Sequence, residues 1–202
     1  NSLLLAQLAA NKQLEKTPDI GWYDVYMEFL DKYWLRYFRA RVDLSVTQGD
    51  SASVVDWVVA PEFGEAVEQR VVANAVMRRL AALPDSEPAL GLLRGYMQKS
   101  ASDASRDHSD VSRTVRLLAV VANSPMSMSS VYIEFETGRI LADNPLAELF
   151  QAEDIRGSVC RRSASANLSE ALYGPVRKAI ALKVQDRREA NVALLRLAED
   201  VS

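Results

Sequence analysis

Apolar side chains recur along this chain at two different spacings. Over residues 1–99 the spacing is helical. Leu3, Leu4, Leu8 and Leu14 fit one helix closed near Thr17-Pro18, and Asp19 is placed to cap the next. That next segment carries Trp22, Tyr23, Tyr26, Phe29, Tyr33, Trp34, Tyr37 and Phe38, with Tyr26, Phe29, Tyr33 and Tyr37 on one helical face. Asp50 or Ser51 can cap a short helix through Val59. Pro61 opens a longer one over 62–83, whose apolar face is Val67, Val71, Val72, Ala75, Val76 and Leu80. Pro88 starts another that runs to Lys99. Residues 100–110, SASDASRDHSD, contain no apolar side chain larger than Ala and read as a linker.

Beyond the linker the spacing changes. Arg116 to Ala122 is apolar enough for a buried helix, with Asn123-Ser124-Pro125 as its stop. Val131, Ile133 and Phe135 alternate with Tyr132, Glu134 and Glu136, the period-2 pattern of a half-buried strand. Thr137-Gly138 turns the chain so that Ile140-Leu141 can pair back. Asn144 and Pro145 stand at the N-cap and first position of a short helix with Leu146, Leu149 and Phe150 inward. Asn167 and Glu170 form a capping box for a helix to Leu182, interrupted at Gly174-Pro175. Val192, Leu194 and Leu195 suit either a helix or a strand. The expected fold class is therefore mainly α with a small α+β part: a helical bundle over 1–99, a linker over 100–110 and a mixed domain over 111–202.

Composition narrows the setting. The chain has 202 residues, 49% hydrophobic and 25% charged, and can bury a core without metal or disulfide staples. Cys160 is the single cysteine, which excludes an intrachain disulfide and favours a reducing, cytoplasmic setting. A net charge of −3 argues against a nucleic-acid surface over the whole molecule. No apolar run approaches the ~20 residues of a membrane span. The start lacks the basic and long apolar regions of a signal peptide, and without an initiator Met the chain reads as trimmed or as a fragment.

Candidate chemistry is sparse. No Walker loop, nucleophile elbow or GxGxxG follows a strand, so no catalytic residue is assigned and the expected class is not an enzyme. His108, the one histidine, lies in the polar linker, and no His/Cys spacing suits a metal. The aromatic face packs a bundle or, in the sharper reading, offers Trp22, Tyr26, Tyr33, Trp34 and Tyr37 to a protein partner or a second copy. Lys32, Arg36, Arg39 and Arg41 interleave with these rings in a way that suits nucleic acid. Asp24, Glu28, Asp31 and Asp43 offset that charge and favour a solvated face.

The run Ala122-Asn123-Ser124-Pro125, Thr137-Gly138-Arg139-Ile140, Asn144-Pro145 and Ala147-Glu148-Leu149-Phe150 resembles the opening of a PAS domain, the small sensor module of bacterial signalling proteins. The resemblance covers residues 116–150. It implies a divergent, incomplete PAS-like domain whose ligand pocket is lined by Val131, Ile133, Phe135, Ile140, Asn144, Leu149 and Phe150. Gly157, Cys160 and Arg161 are similar to the flavin-binding LOV branch, where the cysteine forms the flavin adduct and the arginine contacts the phosphate. Val159, Arg162 and Ser163 depart from that motif, so no cofactor is the main expectation and flavin the minor one. What the resemblance implies is a cytoplasmic signalling or transcription-regulatory protein that senses a small molecule or partner. The alternatives are a non-sensing adaptor or secretion-system accessory docking through 22–38, and a LOV-type photoreceptor.

Overall fold

A computed structural model describes residues 1–17, 20–60, 67–100 and 112–193, without the side chains of 67–70, 99 and 100. The linker, His108 and the ambiguous apolar run after Val192 fall largely outside the described residues. The chain is organised around a five-stranded sheet in the order β1-β7-β5-β4-β3, with β1 at Trp34–Leu44, β3 at Gln98–Ser100, β4 at Arg113–Ser124, β5 at Ser127–Thr137 and β7 at Ile155–Leu168. A second pair joins β2, Ser51–Ser53, to β6, Leu149–Gln151, antiparallel with Ala52 opposite Phe150.

This sheet overturns the expectation of a helical bundle followed by a PAS-like domain. The aromatic segment is the first departure. Helix α2 (Trp22–Leu30) stops at Asp31, a turn occupies 31–33, and Trp34 begins β1. Its sequence, WLRYFRARVDL, is rich in aromatic and branched side chains that suit an extended backbone. The second departure is 116–122, which is β4 and not a helix. A continuous apolar run of Val and Leu fits a buried strand as well as a helix. Asn123-Ser124-Pro125 then closes a tight link into β5, and a link so short requires antiparallel strands. Third, Ile140-Leu141 does not pair back, and 143–147 is a turn and not a helix. The Asn144 Oδ1 accepts from the Leu146 N–H at 3.2 Å, while its Nδ2 donates to the carbonyls of Ala81 and Leu83 at 2.9 and 3.1 Å. Its cap is spent on closing a turn and sealing a distant helix end. The segments that carried the PAS resemblance therefore adopt other structures.

Several helices fall where the spacing predicts them. Helix α1 covers Ser2–Lys16 and closes at Thr17. Helix α4 spans Val67–Ala81 and α5 spans Pro88–Met97, with Pro88 in its first turn. Helix α3 (Val54–Val59) begins later than expected because Ser53, not Asp50 or Ser51, caps it. The Ser53 Oγ accepts from the Asp56 N–H at 3.2 Å, and the Asp56 carboxylate accepts from the Ser53 N–H at 2.8 Å. The interruption at Gly174-Pro175 is a turn of 3-10 helix between α6 (Glu170–Tyr173) and α7 (Arg177–Gln185), followed by α8 (Arg188–Asn191).

Two compact units divide the chain and interleave in sequence. The first comprises Asn1–Arg39, Ala122–Ser129 and Ala164–Val192; the second comprises, among the described residues, Ala40–Val121 and Ser130–Ser163. The second unit holds a core of Val54, Val55, Trp57, Val115, Ile133, Phe135, Leu146 and Phe150. Trp57, Phe135 and Phe150 form an aromatic triad with centroids 5.0–5.9 Å apart. In the first unit Tyr26, Met27, Leu30, Ala10, Ile180 and Val184 are buried. No described helix is long and apolar enough to cross a membrane.

Candidate functional site: the open edge of strand β1

Strand β1 starts from a fixed anchor. The Trp34 indole donates to the Ser2 hydroxyl at 3.1 Å in a buried contact, and the Ser169 N–H donates to the Tyr33 carbonyl at 2.8 Å. Tyr33 meets Tyr173 edge to face at 5.8 Å. Past this anchor the strand is bare. Leu35 is 58% exposed and Tyr37 63% exposed, while Arg36 and Arg39 are also exposed and Phe38 is half-buried. β1 is the terminal strand of its sheet, so one row of its backbone groups has no strand beside it among the described residues.

Arg36, Tyr37, Phe38 and Arg39 line an open depression of 240 Å³. Successive side chains of a strand point to opposite faces, so Arg36 and Phe38 lie on one face and Tyr37 and Arg39 on the other. A depression touching all four runs along the edge of the strand, where its backbone lies. Its volume falls below the roughly 300–1,000 Å³ of small-molecule sites. The charge is positive: Arg36 pairs with Asp31 at 2.5 Å, and Arg39 forms no ion pair with another described residue.

The five residues expected to share a partner face separate. Trp22 stacks on Tyr26 at 5.1 Å and donates to Asn11 at 2.8 Å, and Tyr26 and Trp34 are buried. Burial, with Tyr23 nearby, pushes the Tyr26 phenol up. Tyr33 belongs to the anchor. Tyr37 alone of the five lies on the open edge. Leu35, Arg36, Phe38 and Arg39 were not assigned to a site by helical reading; the signal for them is that the rings and cations of 34–39 fall on both parities, which suits a two-sided edge.

The residues expected to line a ligand pocket are also dispersed. Val131, Ile133, Phe135 and Phe150 are in the packed core of the second unit, whereas Ile140 is 63% and Leu149 55% exposed. Cys160 is half-buried on β7. Its neighbour Arg161 is 1% exposed and donates to the carbonyls of Trp57, Val58 and Ala60 at 2.7, 3.2 and 3.0 Å. These are the orphan acceptors at the C-terminus of α3, which a cation satisfies well. Burial lowers its guanidinium to about 10.

Elsewhere on the sheet the Tyr132 hydroxyl donates to Glu134 at 2.6 Å, and Arg116 pairs with the same carboxylate at 2.6 Å. Burial first, then Glu134, pushes the Tyr132 phenol up, while Arg116 and Arg162 act in the opposite sense. Among the described residues no group of three His, Cys, Asp or Glu side chains is arranged to hold a metal ion.

No family model matches the sequence, and no curated protein matches it. Among solved structures the chain aligns with a delta-endotoxin at 8% identity and a TM-score of 0.38, over 83% of this chain and 77% of that one. It also aligns with the activated Cyt2Ba monomer from Bacillus thuringiensis subsp. israelensis at 11% identity and a TM-score of 0.34, over 73% of this chain and 80% of that one. At these values the likeness carries no inference about activity. The signalling, sensing and transcription-regulatory expectation rested on the PAS resemblance, and it falls with the segments that failed to adopt PAS elements.

Proposed function

We propose that this chain is a non-catalytic binding module that takes an extended segment of a partner protein onto the open edge of β1. The observation that carries this reading is the depression lined from both faces of the strand by Arg36, Tyr37, Phe38 and Arg39. An added strand would gain main-chain hydrogen bonds along the edge, while side chains on either face meet its neighbours. Long exposed edges are ordinarily shortened, bulged or covered, because they invite uncontrolled pairing. Here the edge belongs to a strand of 11 residues and keeps Leu35 and Tyr37 in solvent.

A photo-crosslinking amino acid at position 37, compared with one at the exposed position 126, tests the reading in an extract of the source cells. A defined protein adduct, with the crosslink mapped to an extended segment of the partner, is expected at 37 and absent at 126. Equal labelling at both positions, or none at 37, would overturn it.

A further inference from the structure

The class of partner follows from the charges along the edge. Resting on the edge-docking reading above, we infer that β1 selects an extended segment carrying carboxylates three residues apart, opposite Arg36 and Arg39, with apolar side chains opposite Leu35 and Tyr37. The two arginines lie on opposite faces of the sheet, being an odd number of residues apart. A paired strand alternates in the same way, so a partner meets both arginines only with acids at that odd spacing. Arg36 already shares Asp31, whereas Arg39 has no acid among the described residues. Among the described residues the unspent positive charge is therefore at Arg39.

A second copy of this chain is disfavoured by the same charges. In antiparallel pairing about a two-fold axis, opposed residues lie on one face, so their numbers differ by an even count. Centred on residue 36, 39 or 40, such a pairing opposes arginine to arginine, and centred on 37 or 38 it opposes each arginine of β1 to an uncharged side chain; registers centred on 41 or 42 bring Asp43 opposite Arg39 or Arg41 but leave Leu35, Arg36 and Tyr37 unpaired. Like charges directly opposed destabilise a strand pair. A long polyanion is a poorer fit than a short acidic strand, because it would also meet the net charge of −3 of the whole molecule. Of the aromatic residues of β1, only Tyr37 stands clear enough to stack a base.

The test uses the full chain and two fluorescent seven-residue peptides: Thr-Glu-Thr-Val-Glu-Val-Thr, whose antiparallel register sets Glu opposite Arg36 and Arg39 and Val opposite Leu35 and Tyr37, and its counterpart with Lys at both Glu positions. Anisotropy is read against wild type and Arg39→Glu. Both proteins are checked by circular dichroism, and the exposed site leaves folding unperturbed. The acidic peptide is expected to bind wild type, to weaken about fivefold on Arg39→Glu, and to weaken as salt rises. The Lys peptide is expected to bind the variant better than wild type. If both peptides bind wild type equally and the variant changes neither, the acid selectivity is wrong and edge docking stands. If neither peptide binds while the photo-crosslinker at 37 still captures a protein strand, the charge rule is again overturned and the edge reading survives. Phosphatidylglycerol vesicles or an oligothymidylate that bind wild type, displace the acidic peptide and lose affinity on Arg39→Glu would overturn the protein-partner class itself.

Discussion

Strands β1 and β5 are both 11 residues long and belong to one sheet, yet they lead opposite lives. In β5 nearly every position from Met128 to Phe135 is buried, serines 129 and 130 included; in β1 only Trp34 is buried and most positions face water. Hydropathy does not foretell this. WLRYFRARVDL carries more large apolar side chains than SMSSVYIEFET. What separates them is place in the sheet order: among the described residues β5 has a neighbour on each side and β1 on one. Apolar side chains at a centre serve cohesion; the same kinds at an edge remain available to something else.

The sharpest way to break the contrast is to truncate a ring in the second unit. Phe135→Ala removes a 2% exposed side chain from the Trp57–Phe150 triad and is expected to cost about 3–5 kcal/mol in urea unfolding. A loss near zero would mean that the triad is not cohesive. Arg161→Met comes next. It leaves the Trp57, Val58 and Ala60 carbonyls without their donor, and about 3 kcal/mol is expected from the unmade bonds, read in the same titration.

A smaller effect should follow acid. Burial alone would raise the Asp56 carboxyl, but bonds from the Ser53 backbone and hydroxyl and from Arg78 outweigh it and hold the group below the usual range. A depressed folded pKa gives stability that is complete above the unfolded value of ~3.9 and is lost as pH falls through the folded one. Asp56→Asn should therefore lower stability most on the neutral plateau and least at the acid end, which flattens the acid limb between them. An unchanged acid limb would remove Asp56 from the account. Smallest of all, Tyr37→Ser on β1 should move unfolding stability by no more than about 0.5 kcal/mol while abolishing partner capture by a photo-crosslinker placed at the exposed position 35. A large stability loss there would make β1 a cohesive strand like β5.

The sequence spoke most clearly where one period stood alone. Val131, Ile133 and Phe135 alternate without competition and lie in β5; Pro88 opens α5. Two other stretches were ambiguous for definable reasons. Tyr26, Phe29, Tyr33 and Tyr37 satisfy a helical spacing across a break that no Gly or Pro marks, because the turn at 31–33 is built from Asp31, Lys32 and Tyr33. The apolar run within 113–124 fits helix and strand alike. At the candidate site, Tyr37 stood out in the sequence, but the edge on which it lies did not. Being an edge depends on β7, more than a hundred residues away, being the one strand beside β1 among the described residues.

The clamp on α3 also has a consequence in time. Arg161 reaches a carbonyl 104 residues earlier in the chain. During synthesis at about 5–20 residues per second, the end of α3 must wait roughly 5–20 s for the side chain that seals it. Through that interval Val54, Val55 and Trp57 are already made while β7 is not. Through this window the nascent chain thus carries an apolar helix whose last carbonyls are still unsealed.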